Sequence, residues 1–224
     1  MSESVEEKNQ LVINYMTLRW LTGLLGIIQP IGLIIYSLVK REELQISISH
    51  YYHTGMRDFF VGTLCMTSLF LFSYNGYNKK DKRDFIASKI ASICGLGVAF
   101  FPTTYKTPGI CLSNTDTIGY IHLACACGFF LTLAFFSLFL FTESDKKKEN
   151  WTLEKKTRNK IYKFCGIVMI MCVLIIIAYL LPHPKCDLYD LKPVFWCEAV
   201  ALWFFGLSWF VKGEAILGDK AKHS

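Results

Sequence analysis

The stretch Ile118–Phe141, IGYIHLACACGFFLTLAFFSLFLF, runs for 24 residues without an Asp, Glu, Lys or Arg. A helix crosses the hydrocarbon of a bilayer in roughly 20 predominantly apolar residues, rising about 1.5 Å per residue. This segment therefore meets the requirement for a transmembrane helix. Moving outward in both directions, five further stretches have the same character: 18–39, 58–77, 86–103, 161–181 and 193–211. The one at 86–103 is the least apolar, with Ser88, Lys89 and Ser92 in its first two turns. Lys89 can reach the headgroups by snorkelling if that end lies at the interface. The fold class expected is all-α, a single transmembrane domain over residues 1–224 with six spanning helices.

Composition agrees. Of the 224 residues, 53% are hydrophobic and 15% aromatic, while 19% are charged, the charges lying mostly between the apolar runs. A water-soluble domain of this size has too little interior to hide that much apolar surface. The formal charge of +6 does not point to nucleic acid, because the basic residues occupy the gaps where anionic headgroups already account for them. Residues 1–17 are polar and acidic, and the first apolar run ends at Leu38-Val39-Lys40 without a small-residue cleavage site. The first helix is thus expected to be retained.

Basic residues set the expected orientation. Lys8, Arg19, the Lys79–Lys89 group, the Lys146–Lys163 group and the C-terminal tail gather 18 of the 24 Lys and Arg on one side. Lys40, Arg41, Arg57, Lys106, Lys185 and Lys192 are the six on the other. The richer side belongs in the cytoplasm, and both termini with it. The segment Lys146–Arg158 reads either as a solvated basic loop, the commoner case, or as an amphipathic surface helix on anionic lipid. In the first span, Gln29-Pro30 falls near mid-membrane, where proline removes a backbone donor and favours a kink. Gln29 either lines a cavity or satisfies a carbonyl within the bundle.

Polar groups concentrate on the expected outer side, with nothing comparable at the cytoplasmic end. The densest run is Ser47-Ile-Ser-His-Tyr-Tyr-His-Thr-Gly-Met-Arg-Asp58. In a helical turn His50 and His53 share a face, with Arg57 one turn on. Such a patch suits a lipid phosphate, or equally an interfacial aromatic belt with polar companions. Asp58, His122 and Glu198 each fall near the outer end of a span. Ionisable groups there normally face the bundle or a wet cavity. The face of Asp58 continues through Gly62 and Cys65, and that of His122 through Cys125 and Ala126.

Three readings stay open for these groups. One is a pocket for a lipid or small amphiphile, with His50, His53, Arg57, Asp58, His122 and Glu198 as ligand-binding residues. The second is a lipid hydrolase in which His122, Asp58, Glu198 and His183 hold a divalent metal such as zinc that activates water. The third, a small transporter, requires a continuous polar path. A buried hydrogen-bond network without ligand accounts for the same residues.

Seven of the nine cysteines lie in the spans, where thiols act as small hydrophobes. Cys111 and Cys186 fall in outer loops and are the expected disulfide, should the compartment be oxidising. No HExxH, CxxC or GxSxG occurs, and no glycine loop cradles a phosphate, so a nucleotide is not expected as a partner.

SISHYYHTGMRDFFVGTL (Ser47–Leu64) and GLGVAFFPT (Gly95–Thr103) resemble an uncharacterised bacterial family of integral membrane proteins. The six-span layout with a polar first outer loop is distantly similar to DRAM and Sfk-type membrane proteins. These resemblances imply a multi-pass protein of the bacterial inner membrane and no particular activity. The ceramidase-like hydrolases, which bind zinc through Ser, Asp and His, are a weaker comparison. They have one helix more and a paired-histidine motif that this chain lacks.

Overall fold

The computed structural model describes residues 2–74, 82–105, 115–144, 151–180 and 186–213; the side chains of 2–15, 186 and 187 are not included. The described residues form six α-helices and no strand: α1 Ser2–Lys40, α2 Arg57–Ser73, α3 Arg83–Phe100, α4 Thr117–Phe135, α5 Leu153–Leu180 and α6 Pro193–Lys212. A single π-turn, Phe136–Leu140, extends α4, and short 3₁₀ turns cover Ser49–His53 and Cys186–Leu191.

Four segments are long and apolar enough to cross a membrane: Met16–Lys40, Thr117–Leu140, Leu153–Leu180 and Leu188–Lys212. The other two helices fall short for identifiable reasons. The 17 residues of α2 rise only about 25 Å. The first two turns of α3 carry Arg83, Asp84 and Lys89. The Lys89 ammonium meets the Phe72 carbonyl near the end of α2 and sits over the Phe72 ring.

The distribution of polarity is that of a protein in lipid. Large apolar side chains point outward, among them Ile93 at 66% and Phe100 at 64% exposure. Small polar ones such as Thr22, Ser37, Ser68, Ser92 and Ser208 are buried. Water would penalise that arrangement, whereas hydrocarbon rewards it. Interhelical contacts are correspondingly tight. An ideal Cβ on Gly23 meets the Gly206 carbonyl at 2.8 Å, and one on Gly206 meets the Gly23 carbonyl at 2.6 Å, so α1 and α6 touch backbone to backbone. Ser137 donates to Ser208 across α4 and α6 at 2.9 Å.

One end of the bundle is packed by Tyr74, Phe136, Phe141, Phe205 and Trp209, with ring centroids 5.3–5.8 Å apart. This is the end for which the sequence predicts no polar grouping, and that expectation needs correcting. Asp84 and Asn159 are buried there, and Arg19, Lys155, Arg158 and Asp84 lie close enough to Lys212 to act on its charge. Helix C-termini explain part of the gathering, since their last carbonyls require donors. Arg19 donates to the Lys212 carbonyl at 3.4 Å and Lys155 to that of Glu143 at 2.9 Å. Of the basic segment Lys146–Arg158, residues 153–158 are helical, α5 starting at Leu153 rather than 161, while 146–150 lie outside the described residues.

Candidate functional site

At the other end the first loop folds into the bundle instead of lying over it. Ile48 and Tyr51 are buried to 3% and 0% exposure, and the Tyr51 hydroxyl pairs with Ser37 on α1 at 2.6 Å. Burial pushes the Tyr51 phenol above its ordinary range, the Ser37 hydrogen bond opposing the shift. Hydrogen bonds in opposite directions fasten the loop to α6. The Phe195 amide, in the first turn of α6, donates to the Ile46 carbonyl at 3.1 Å. The Ile48 amide donates to Glu198 Oε2 at 2.6 Å, and the Ser49 amide bonds to the same carboxylate. Glu198 thus supplies acceptors to a chain segment that enters low-dielectric surroundings with unsatisfied amides.

Between this loop, the first turns of α4, the last turns of α5 and the start of α6 lies a cavity of about 360 Å³. Its lining is mixed. Leu123 and Phe130 of α4 and Val173, Ile176 and Ile177 of α5 form an apolar wall, while Ser49, His50, His122, Tyr179, Lys192 and Glu198 supply polar groups. A void of about 20 Å³ adjoins it, sharing Ser49, Ala126, Phe130 and Glu198 and reaching Gln29 of α1. Of the two roles expected for Gln29, the side chain thus takes that of lining a cavity, at 2% exposure. One water fills a space of that size.

Three of the predicted residues meet at the cavity. His50 is held by Ser47, whose Oγ accepts the His50 amide at 3.1 Å and lies 3.0 Å from Nδ1. His122 is 2% exposed, and its Nδ1 lies 2.7 Å from the Phe101 carbonyl at the end of α3. A carbonyl can only accept, so that nitrogen carries a proton and Nε2 is the acceptor of the neutral ring. Glu198 is the third.

The others lie elsewhere. His53 is exposed, bonds the Thr103 carbonyl at 2.8 Å and stacks edge-on against Tyr52 and Tyr105. Arg57 lies 4.5 Å over the Tyr52 ring and donates to its hydroxyl at 2.8 Å. For these two residues the aromatic-belt alternative describes the geometry. Asp58 is exposed and is not part of the cavity wall. The buried face of α2 runs through Phe60, Thr63, Leu64, Thr67 and Leu71. At about 100° per residue, Asp58, Gly62 and Cys65 fall on the opposite side. An ideal Cβ on Gly62 meets nothing within 4 Å.

The expected metal set, His122, Asp58, Glu198 and His183, is therefore not assembled. Among the described residues no three His, Cys, Asp or Glu side chains gather to hold a metal ion. His183 lies outside the described residues, as do Cys111 and the side chain of Cys186, the expected disulfide partners.

Sequence reasoning passed over Tyr179, Tyr189 and Lys192 as site residues. Lys192 carried a usable signal, for it immediately precedes Pro193 and stands six positions before Glu198. That places it at the mouth of α6, with φ 49° and ψ 52°. The rim is fixed by Asp116, the N-cap of α4, which accepts from the Gly119 amide at 2.9 Å and from Thr104 Oγ1 at 2.5 Å. The Thr104 hydroxyl and the Gly119 amide hold its carboxyl below the usual carboxylate range. A carboxylate depressed on folding stabilises the fold above its unfolded pKa, and the benefit is lost as pH falls toward the folded value. Asp116→Ala is expected to lower the melting temperature at neutral pH. That deficit should shrink as melting curves are recorded at successively lower pH, below about 4.

No family model, curated protein or solved structure matches this chain, so the reading of its site rests on its own geometry.

Proposed function

We propose that this chain is a six-span integral membrane protein with both termini in the cytoplasm, and that its outward-facing cavity binds a lipid or small amphiphile. The partition of 18 basic residues to one side and six to the other supports that topology. In it, α2 and α3 cross as a short pair, snorkelling residues such as Lys89 making up the length. A bacterial inner membrane is the setting we propose, from the resemblance of the Ser47–Leu64 run.

The observation that carries the reading is the cavity itself. A space of about 360 Å³ walled by aliphatic residues on α4 and α5, with His50, His122 and Glu198 on its other sides, is matched to an amphiphilic ligand. Ligand sites commonly combine an apolar lining with a few oriented polar groups. The test is quantification of lipid that copurifies in mild detergent, by native mass spectrometry. The wild type is expected to carry about one amphiphile per chain. Ala126, which lines both spaces, is the position to fill. Ala126→Phe should lower bound lipid by about tenfold while the protein still melts cooperatively, overpacking costing about 1–3 kcal/mol. A wild-type protein without bound amphiphile, or occupancy untouched by the phenylalanine, refutes the proposal.

A further inference from the structure

Among the described residues Lys192 is the only Lys or Arg that lines the cavity. It is 16% exposed and reaches Glu43 at 3.1 Å, but Glu43 is 92% exposed, so the pair faces water on its acidic side. Exposed ion pairs contribute little and are easily exchanged. The other carboxylate of the lining, Glu198, accepts the Ile48 and Ser49 amides. Asp190 is exposed and outside the lining. Among the described residues, a lysine ammonium at the mouth of an otherwise aliphatic and weakly polar chamber therefore has no committed anion within the lining, and His50 stands in the same wall.

Lys192 also occupies a costly backbone position. It is one of two non-glycine residues with positive φ among the described residues, it precedes proline, and glycine fits such a conformation without strain. Strain retained at one residue of a cavity wall is the pattern of a side chain kept for what it binds.

The apolar wall opens sideways. Leu123 on α4 and Ile177 on α5 both line the cavity, yet are 38% and 40% exposed on the outside. Tyr120, one turn from Leu123, lines it too and is 63% exposed. In a membrane these rim residues meet acyl chains. The aliphatic side of the cavity is thus the one nearest the outer surface of α4 and α5, and its polar side is formed by the first loop and α6.

Building on the amphiphile reading, we propose that the ligand is a single-chain lipid with an anionic headgroup, carboxylate or phosphate, held by Lys192 with its tail passing between α4 and α5. The ammonium supplies charge and up to three donors. The cavity, at about 360 Å³, is at the small end of ligand-site volumes, which favours one tail over two.

Binding of hexadecanoate, a lysophosphatidate of equal chain length and hexadecanol to the full chain in dodecyl maltoside tests this. Both anionic probes should bind at least tenfold more tightly than the alcohol, and the tighter of the two identifies the headgroup. Lys192→Gly removes the charge while relieving the positive φ, so the protein should melt no lower than wild type. It should nevertheless lose about tenfold in affinity for the anions and none for hexadecanol. Lys192→Arg should retain anion binding, and Glu43→Gln should leave it equal or stronger. Equal binding of alcohol and acid, unchanged by Lys192→Gly, overturns the anionic assignment and leaves the amphiphile cavity standing. Failure of all three probes to bind the wild type overturns both.

Discussion

Glu198→Ala is expected to destabilise the protein by about 3 kcal/mol and to release the first loop from the bundle. The carboxylate accepts the Ile48 amide at 2.6 Å and the Ser49 amide, both of them buried residues. Each buried donor left without an acceptor costs about 1–3 kcal/mol. Truncation also merges the two spaces that Glu198 separates, adding a cavity penalty. Glu198→Gln keeps a carbonyl oxygen in place and should recover most of the loss. Hydrogen exchange across residues 46–53 is the informative measurement. If Glu198 is the anchor, alanine accelerates exchange there far more than in α2 or α3. Uniform acceleration, or none, rejects the anchoring role.

Gly206→Leu is expected to be the most damaging single change outside the site, costing at least about 3 kcal/mol by overpacking. An ideal Cβ at Gly206 already meets the Gly23 carbonyl and Ile27 Cγ1, each at 2.6 Å. Backbone cannot yield as a side-chain tip can, so α1 and α6 must separate to admit even one methyl. Gly206→Ala should therefore lower the melting temperature as well, by a smaller margin. Gly62→Ala is the matched comparison. Nothing lies within 4 Å of its ideal Cβ, and alanine gains about 1 kcal/mol in helix propensity, so that variant should melt at or above wild type. Thermal melting of the three variants in one detergent checks the ordering. Equal losses at Gly62 and Gly206 would refute close packing of α1 on α6.

The two glycines look alike in the sequence, and the same difficulty governs the site. Along α4 nearly every residue is apolar, because one face meets the bundle and the other meets lipid. Periodicity, which separates core from surface in water, then carries almost no signal. Asp58 was assigned to the interior as an ionisable group near the end of a span, on a face continued by Gly62 and Cys65. The actual interior face of α2, through Phe60 and Leu64, is no more apolar than the outward-facing one. The same argument held for His122 and Glu198, which lie sixth in their helices where Asp58 is second. Each is an ionisable group inside an apolar run, and a group of that kind has few alternatives to the interior. Lys192 fell between these cases, since a basic residue beside a span reads first as a topology signal.

Which segments leave water was written in the sequence, because the cost of hydrating some 20 apolar residues in a row exceeds any local preference. Each of the six expected spans lies largely within a helix of the described residues, and four of those helices are long and apolar enough to cross a membrane. The tertiary structure alone decided which side of each helix turned inward and how the first loop folded onto α6. Those choices depend on backbone approach at Gly23 and Gly206 and on amides finding Glu198, pairings between residues more than a hundred positions apart. Hydropathy measures exchange between water and hydrocarbon, and it is silent on which helix face meets protein and which meets lipid.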